Sequence, residues 1–353
     1  MEGATGLPVG LHKVDQVRGL KSQKVSMAIL REVCFIRKTY LTLFLFLSFQ
    51  NPLQAEDKIR ISISSIDVSF LTGGVALKRE FFREEGLAAE IIRMNANVSI
   101  TALANGEIDY TLIFGSVVRA AILGFPLRVV TSFMDSSTHT LIAQPEYRAV
   151  KDLKGKVLGV SSFGATGDVV ARMMIKHFGI DPEKDMKIVA LGPERARFTA
   201  LKEKVVDVAV ISPPADSEGK KFFFNVLARA YELFSFPFVG LGTNTNKLKG
   251  RPDEVKRAIR ALIKAYRYIR QNRAGAIQVL MEWGRATREN ATATYDSTSR
   301  VFNLDGSIQE DGLRLVIDQA KQALKVTREV SPGEVSDVTL LREAQKELGI
   351  KGR

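Results

Sequence analysis

The sequence is poor in the side chains that carry out covalent and metal chemistry. Its 353 residues include one cysteine, Cys34, and three histidines, His12, His139 and His177. A single cysteine makes no intrachain disulfide and no thiolate metal site. Cys34 also lies in a segment that reads as a removable leader. The histidines form no HExxH pair, and no P-loop or EF-hand pattern occurs. Residues 159–164, Gly-Val-Ser-Ser-Phe-Gly, approach the GxSxG nucleophile elbow, but the spacing is one residue too long and no suitable histidine follows. His177 falls late in a helical pattern and reads as a surface or capping residue. His139, between threonines in a predicted strand, is at most a hydrogen-bonding residue. The expectation is a protein with no catalytic residues, no metal site and no cofactor.

Long apolar runs are scarce as well. The clearest, residues 41–49 (LTLFLFLSF), is too short to span a bilayer. Arg37 and Lys38 precede it, and Ala55 stands before the charged Glu56-Asp57-Lys58. A basic start, a short apolar middle and a small residue before the mature chain describe a signal peptide over residues 27–55, cut after Ala55. Residues 1–26 resemble neither core nor leader and read as a mis-called or disordered extension ahead of Met27.

A block of single-sign charge is missing too. The net charge is +12, but seven Lys or Arg and three Asp or Glu precede Glu56, leaving 44 against 36 in the mature chain. Acids alternate with bases, as in Lys78-Arg79-Glu80 and Arg83-Glu84-Glu85. This is a solvated surface with mild attraction for anions, so no nucleic-acid partner is expected.

What is present is a repeated α/β pattern. Strand-like runs at 59–64, 89–94, 110–114, 127–133 and 138–143 alternate with helical patterns at 71–82, 98–104 and 117–123. Such alternation predicts mainly parallel sheets with helices on both faces. The pattern then restarts about a hundred residues on. Val160-Ser161-Ser162 repeats Ile63-Ser64-Ser65, and Thr199-Ala200-Leu201 with Asp207 mirrors Thr101-Ala102-Leu103 with Asp109. Two similar lobes follow, of about one small domain each. A further strand at 236–241 and helices at 252–271, 274–283, 308–326 and 335–348 complete the chain. We read residues 56–145 and 239–353 as lobe 1 and 146–238 as lobe 2. The crossings between them, near 143–146 and 238–242, would act as hinges.

The centre of the pattern is residues 155–179, GKVLGVSSFGATGDVVARMMIKHFG: an apolar strand, a loop of small residues, and an amphipathic helix stopped by Gly179. The loop and the helix N-terminus leave backbone N–H groups facing outward, a site for an anionic or polar group. Read alone, the same stretch is also an ordinary strand-to-helix turn. Other loops share its character: Ser64, Ser65 and Phe70 after the first strand, Asn95 and Asn97 after the second, Gly115 and Ser116 after the third. In the second copy come Ser161, Ser162, Gly164 and Thr166, then Gly192 and Pro193, then Ser212 and Asp216. Strand carboxyl ends share one edge of such a sheet. Two facing edges would form a cleft suited to closing on a small molecule.

The runs ISSIDVSFLTGGVALKREFFREEGLAAEII, TALANGEIDYTLIFGSVVRAAILGFPLRVV, LIAQPEYRAVKDLKGKVLGVSSFGATGD and ALKEKVVDVAVISPPAD resemble the sulfonate/nitrate/taurine and thiamine-pyrimidine (NMT1/THI5-like) group of ABC-transporter substrate-binding proteins. The resemblance covers most of residues 59–241. It implies a two-lobed, type II-like periplasmic-binding-protein fold, a periplasmic location, a small-molecule ligand, an ABC permease as membrane partner, and a monomer. The ligand is expected to be a small organic anion or heteroaromatic solute held at the strand-end loops, with Ser65, Gly115, Ser116, Ser161, Ser162 and Thr166 foremost. One departure is that many members carry a large aromatic after the first strand, where this chain has Leu71-Thr72-Gly73-Gly74-Val75-Ala76. That implies extra room in the cleft. Arg195 and Arg197 lie near a pocket loop, but no obvious arginine pair for a sulfonate is visible. The alternatives are a thiamine-pyrimidine synthase-like enzyme, whose family uses a pyridoxal-phosphate lysine, a histidine and a cysteine-rich segment, and an exported sensor domain.

Overall fold

The structure, a computed structural model, describes residues 56–213 and 218–351. The leader and Cys34 lie outside the described residues. Among the described residues, no helix is long and apolar enough to cross a membrane.

Ten strands form two five-stranded sheets. The first contains β1 (Asp57–Ile63), β2 (Leu87–Arg93), β3 (Tyr110–Thr111), β4 (Leu127–Met134) and β10 (Val239–Asn244), in the order β2-β1-β3-β10-β4. The second contains β5 (Thr140–Ala143), β6 (Val157–Val160), β7 (Lys187–Ala190), β8 (Val208–Ile211) and β9 (Asn225–Arg229), in the order β7-β6-β8-β5-β9. The internal repeat therefore has a structural counterpart, since β2-β1-β3 and β7-β6-β8 are parallel triplets of the same order. Each sheet is nevertheless mixed. β10 runs antiparallel to β3 and β4, and β5 runs antiparallel to β8 and β9. The antiparallel strands are those that enter each sheet from a crossing, where the chain arrives from the other half.

The helices fill the faces. α1 (Leu71–Lys78) follows β1; the longer helix expected over 71–82 breaks at Glu80, which sits at φ 59° before a short turn, Phe81–Glu84. α2 (Ala96–Asn105), α3 (Phe114–Ile122), α4 (Thr166–His177) and α5 (Glu194–Lys202) follow successive strands. The C-terminal part adds α6 (Pro252–Gln271), α7 (Arg273–Gly284), α8 (Arg288–Thr298), α9 (Glu310–Leu324) and α10 (Thr339–Glu347). α6 buries a continuous stripe, Val255, Ala258, Ile259, Leu262, Tyr266 and Ile269, as its 3.6-residue period requires. Its first turn is held by charge: buried Glu254 accepts from Tyr110 Oη at 2.9 Å and pairs with Lys247 at 2.7 Å and Arg251 at 3.1 Å.

The glycine pair expected to widen the cleft serves packing instead. Residues 71–76 are all buried, and a Cβ on Gly74 would lie 2.6 Å from the Trp283 ring. The missing bulk of α1 is filled by the tryptophan of α7.

The crossings also differ from the expectation. β5 is already hydrogen-bonded into the second sheet, so the first crossing is 135–139, ahead of residues 143–146. The return crossing, 230–238, runs beside it: Phe236 N–H donates to Asp135 O at 2.9 Å, Phe238 N–H to Met134 O at 3.0 Å, and Ser136 Oγ to Phe234 O at 2.6 Å. Asn303 Nδ2, from the segment before α9, donates to Asp135 Oδ1 at 2.7 Å and ties a third strand of chain to this junction.

Candidate functional site

The carboxyl ends of β1 and β3 face those of β6, β7 and β8 beside this junction. Three clusters of side chains lie there.

The first lies between the start of α3 and the start of α4. A Cβ on Gly115 would sit 3.7 Å from Thr166 Oγ1 and 3.7 Å from Arg119 Nη1. Ser116 is buried, and its hydroxyl accepts from Arg119 Nη2 at 2.8 Å. Arg119 is half-buried on a helix whose other buried positions, Ser116 apart, are apolar. Among the described residues no carboxylate lies within ion-pair distance of it. Burial holds its pKa below the usual guanidinium range, while the charge of Asp168 works the other way. Behind it, a cavity of about 40 Å³ opens between Arg119, Met173, Phe236, Pro237, Leu315 and Gln319. A desolvated guanidinium beside an apolar recess suits an anionic group.

The second cluster is built on the 155–179 stretch. Gly164 sits at φ 74°, and its N–H donates to Asp168 Oδ2 at 2.8 Å, with Arg172 Nε on the other oxygen at 2.7 Å. Asp168 thus caps its own helix start from inside the first turn, taking up one of the N–H groups offered there. Ser161 and Ser162 remain half-buried beside it. A Cβ on Gly167 would lie 3.1 Å from His139 Nε2 and 3.4 Å from Ser161 Oγ, so this glycine lets the crossing pass close to the helix. His139 Nδ1 and Ser137 Oγ are hydrogen-bonded at 2.8 Å, and the ring stands edge-on to Phe238 at 5.4 Å. The residue is half-buried, and desolvation of the ring, helped by the Arg197 charge, lowers its pKa to about 3. The imidazole is neutral at ordinary pH.

The third cluster joins the β1 loop to the β7 and β8 loops. Ser65 Oγ donates to Asp67 Oδ2, and Asp67 Oδ1 accepts from Ser69 N–H at 2.7 Å. Ser69 Oγ and Thr138 Oγ1 are hydrogen-bonded at 2.9 Å. Arg197 is buried and donates to Val210 O at 2.7 Å and Gly192 O at 2.6 Å. Burial lowers its pKa, against the charges of Glu194 and Asp67. Arg197 therefore binds backbone carbonyls of β8 and of the loop after β7, whereas Arg195 is exposed. Ser212 N–H donates to the Glu194 carboxylate, closing the loop from below.

The sequence-selected residues divide accordingly. Ser65, Gly115, Ser116, Ser161, Ser162, Gly164, Thr166 and Ser212 fall in these clusters. Pro193 is exposed at the start of α5. Phe70 is buried at 6% exposure in the main hydrophobic core, so it is not a free aromatic wall. Asn95 caps α2, accepting from Asn97 N–H at 3.0 Å. Ser64 is exposed, and Asp216 lies outside the described residues. Arg119 is the residue that sequence reasoning passed over, whereas His139, read there as at most a hydrogen-bonding residue, bonds Ser137 in the second cluster. A lone arginine in FGSVVRAAI, one turn inside an otherwise apolar helix, was the available signal. His177 is exposed and stacks edge-on with Phe178 and Phe234. Among the described residues no group of His, Cys, Asp and Glu is arranged to hold a metal ion.

Two mixed sheets flanked by helices and joined by two crossings make a periplasmic-binding-protein fold. The chain belongs to the NMT1/THI5-like family, which it matches over residues 70–276. No curated protein matches it by sequence. Among solved structures it is similar to a protein from Bordetella bronchiseptica RB50, with 19% identity, TM-score 0.71, and coverage of 84% of this chain and 99% of that one. It is also similar to the periplasmic aliphatic sulphonate binding protein SsuA from Escherichia coli, at 14% identity and TM-score 0.65, covering 80% and 92%. A third likeness is the periplasmic nitrate-binding protein NrtA from Synechocystis PCC 6803, at 14% identity and TM-score 0.65, covering 82% and 89%. At these identities the likeness concerns the fold.

Proposed function

We propose that this protein is an exported, non-catalytic solute-binding receptor. It closes two lobes on a small organic anion and presents the closed form to an ABC permease. In this reading one lobe is built on the first sheet with the C-terminal helices and the other on the second sheet. The 135–139 and 230–238 segments form the hinge, and the protein works as a periplasmic monomer. The observation that carries the ligand's charge is Arg119: a desolvated guanidinium, with no carboxylate within ion-pair distance among the described residues, placed where α3 of one half meets α4 of the other. Such a group is unfavourable in the empty protein and favourable once an anion joins it. The names of SsuA and NrtA, both binders of anions, support the same reading.

The test is a thermal-shift screen of the wild type and Arg119→Ala against alkyl and aryl sulfonates, nitrate, aromatic carboxylates, pyrimidines and pyridoxal phosphate. A ligand that binds the folded state raises Tm with concentration. One anion is expected to stabilise the wild type, and its affinity to fall by about 2–5 kcal/mol in Arg119→Ala. Stabilisation by neutral pyrimidines alone, equal in both proteins, would remove the anion. Binding of pyridoxal phosphate with Schiff-base absorbance would replace the receptor with an enzyme.

A further inference from the structure

Away from the cleft, the second half carries a surface patch that its own core does not use. The turn 219–224, Gly-Lys-Lys-Phe-Phe-Phe, is closed by Phe223 N–H on Lys220 O and Phe224 N–H on Gly219 O, both at 3.1 Å. Phe224 anchors it in the cluster that holds Leu201 and Val206. Phe222 stacks on Phe224 at 5.9 Å and meets Phe198 edge-on at 5.8 Å. Phe223 is 82% exposed, at φ 60°. A bulky side chain rarely takes that backbone conformation, and an aromatic ring is rarely left so fully in water. Val205, in the adjoining turn after α5, is 60% exposed, and Phe222 is 41% exposed. Lys202, Lys204, Lys220 and Lys221 are all exposed, with Glu203 the one acid in these two turns. Lys202 Nζ lies 4.5 Å from the Phe222 ring centre.

We propose that this patch docks on an anionic lipid surface. Outward aromatic rings flanked by lysines match both layers of such a surface: rings enter the boundary of headgroups and chains, while the lysine stems lie along it with their charges in the phosphate layer. The charge argues against a second copy of the chain as the occupant, because a two-fold contact through this patch would set four lysines against four. The contact would be reversible, since it combines a few rings with a few charges and has no deep apolar face.

The test is co-sedimentation of the full chain with vesicles of phosphatidylcholine alone and of phosphatidylcholine with phosphatidylglycerol in equal parts, at 0.1 M and 0.5 M NaCl. Wild type and variants share residues 1–55, so differences between them report the patch. Binding to the phosphatidylglycerol vesicles at low salt is expected, weakened at 0.5 M. Phe223→Asn, which suits the left-handed backbone, and the double change Lys220→Glu with Lys221→Glu should each lower it about tenfold without lowering Tm. Equal binding by wild type and both variants would overturn the proposal and place any membrane contact elsewhere in the chain. So would equal binding to neutral and anionic vesicles. A wild-type dimer in light scattering, lost in the variants and unaffected by vesicles, would assign the patch to self-association instead.

Discussion

His139 shows how one residue can tie this fold to pH. Its ring is wedged between the first crossing, the return crossing at Phe238 and the first turn of α4 at Gly167, with Nδ1 held by Ser137. Burial, then Arg197, lowers its pKa from an ordinary 6.5 to about 3. The sign follows directly. Between pH 6.5 and 3 the unfolded chain takes up a proton that the folded chain refuses, so this contribution is complete above pH 6.5 and is lost as the pH falls. The slope is at most about 1.4 kcal/mol per pH unit. His139→Gln should be less stable than the wild type at pH 7, by about 1 kcal/mol for the lost contacts. The gap should close or invert by pH 4.5, when urea midpoints are compared. A gap that is constant with pH would mean that the imidazole is not enclosed in the native state.

Among the elements, α6 and the first sheet depend on one buried acid. Glu254, 3% exposed, holds Lys247, Arg251 and the Tyr110 hydroxyl together. Glu254→Leu should lower stability by about 1–3 kcal/mol in a urea melt, because it leaves the buried Tyr110 hydroxyl without its acceptor, while Lys247 keeps Asp109 at 2.7 Å. Glu254→Gln, which keeps an acceptor, should cost less. Equal losses would show that the site needs only volume. Much of this element was legible: Pro252, two acids in the first turn and an unbroken apolar stripe gave α6 its observed bounds, 252–271. β3 was less legible. The apolar run 110–114 looks like a strand, yet the structure pairs only Tyr110–Thr111, and Phe114 already starts α3. Both conformations want those residues buried, so hydrophobicity alone could not place the boundary. α8 escaped for the opposite reason: RENATATYDST is polar and threonine-rich, and its helix rests on a Thr287 cap and on tertiary packing. The strand-end serines were visible because small polar residues recur there in both repeats. That Gly74 makes room for Trp283 was not, because the two lie about two hundred residues apart.

At the scale of the whole molecule, the first and third clusters take groups from both halves, and the second sets the crossings against the start of α4. Gly115 and Arg119 meet Thr166, His139 meets Gly167 and Ser161, and the Asp67 charge reaches Arg197. A ligand can shift the balance between open and closed arrangements only through contacts that differ between them. An anion on Arg119 has such contacts when the start of α4 lies opposite. Amide hydrogen exchange separates this mechanism from binding to one half. With a stabilising anion bound, exchange should slow together at residues 114–117 of α3 and at 161–167 before and within α4. The turns at 202–205 and 219–224, remote from the cleft, should keep their rates. In Arg119→Ala at the same ligand concentration both protected regions should return to the free rate, because losing the charge in one half removes the reason for the other to close. Protection confined to residues 161–167 would mean that the small-residue loop binds the solute alone, and closure would then need a cause other than Arg119.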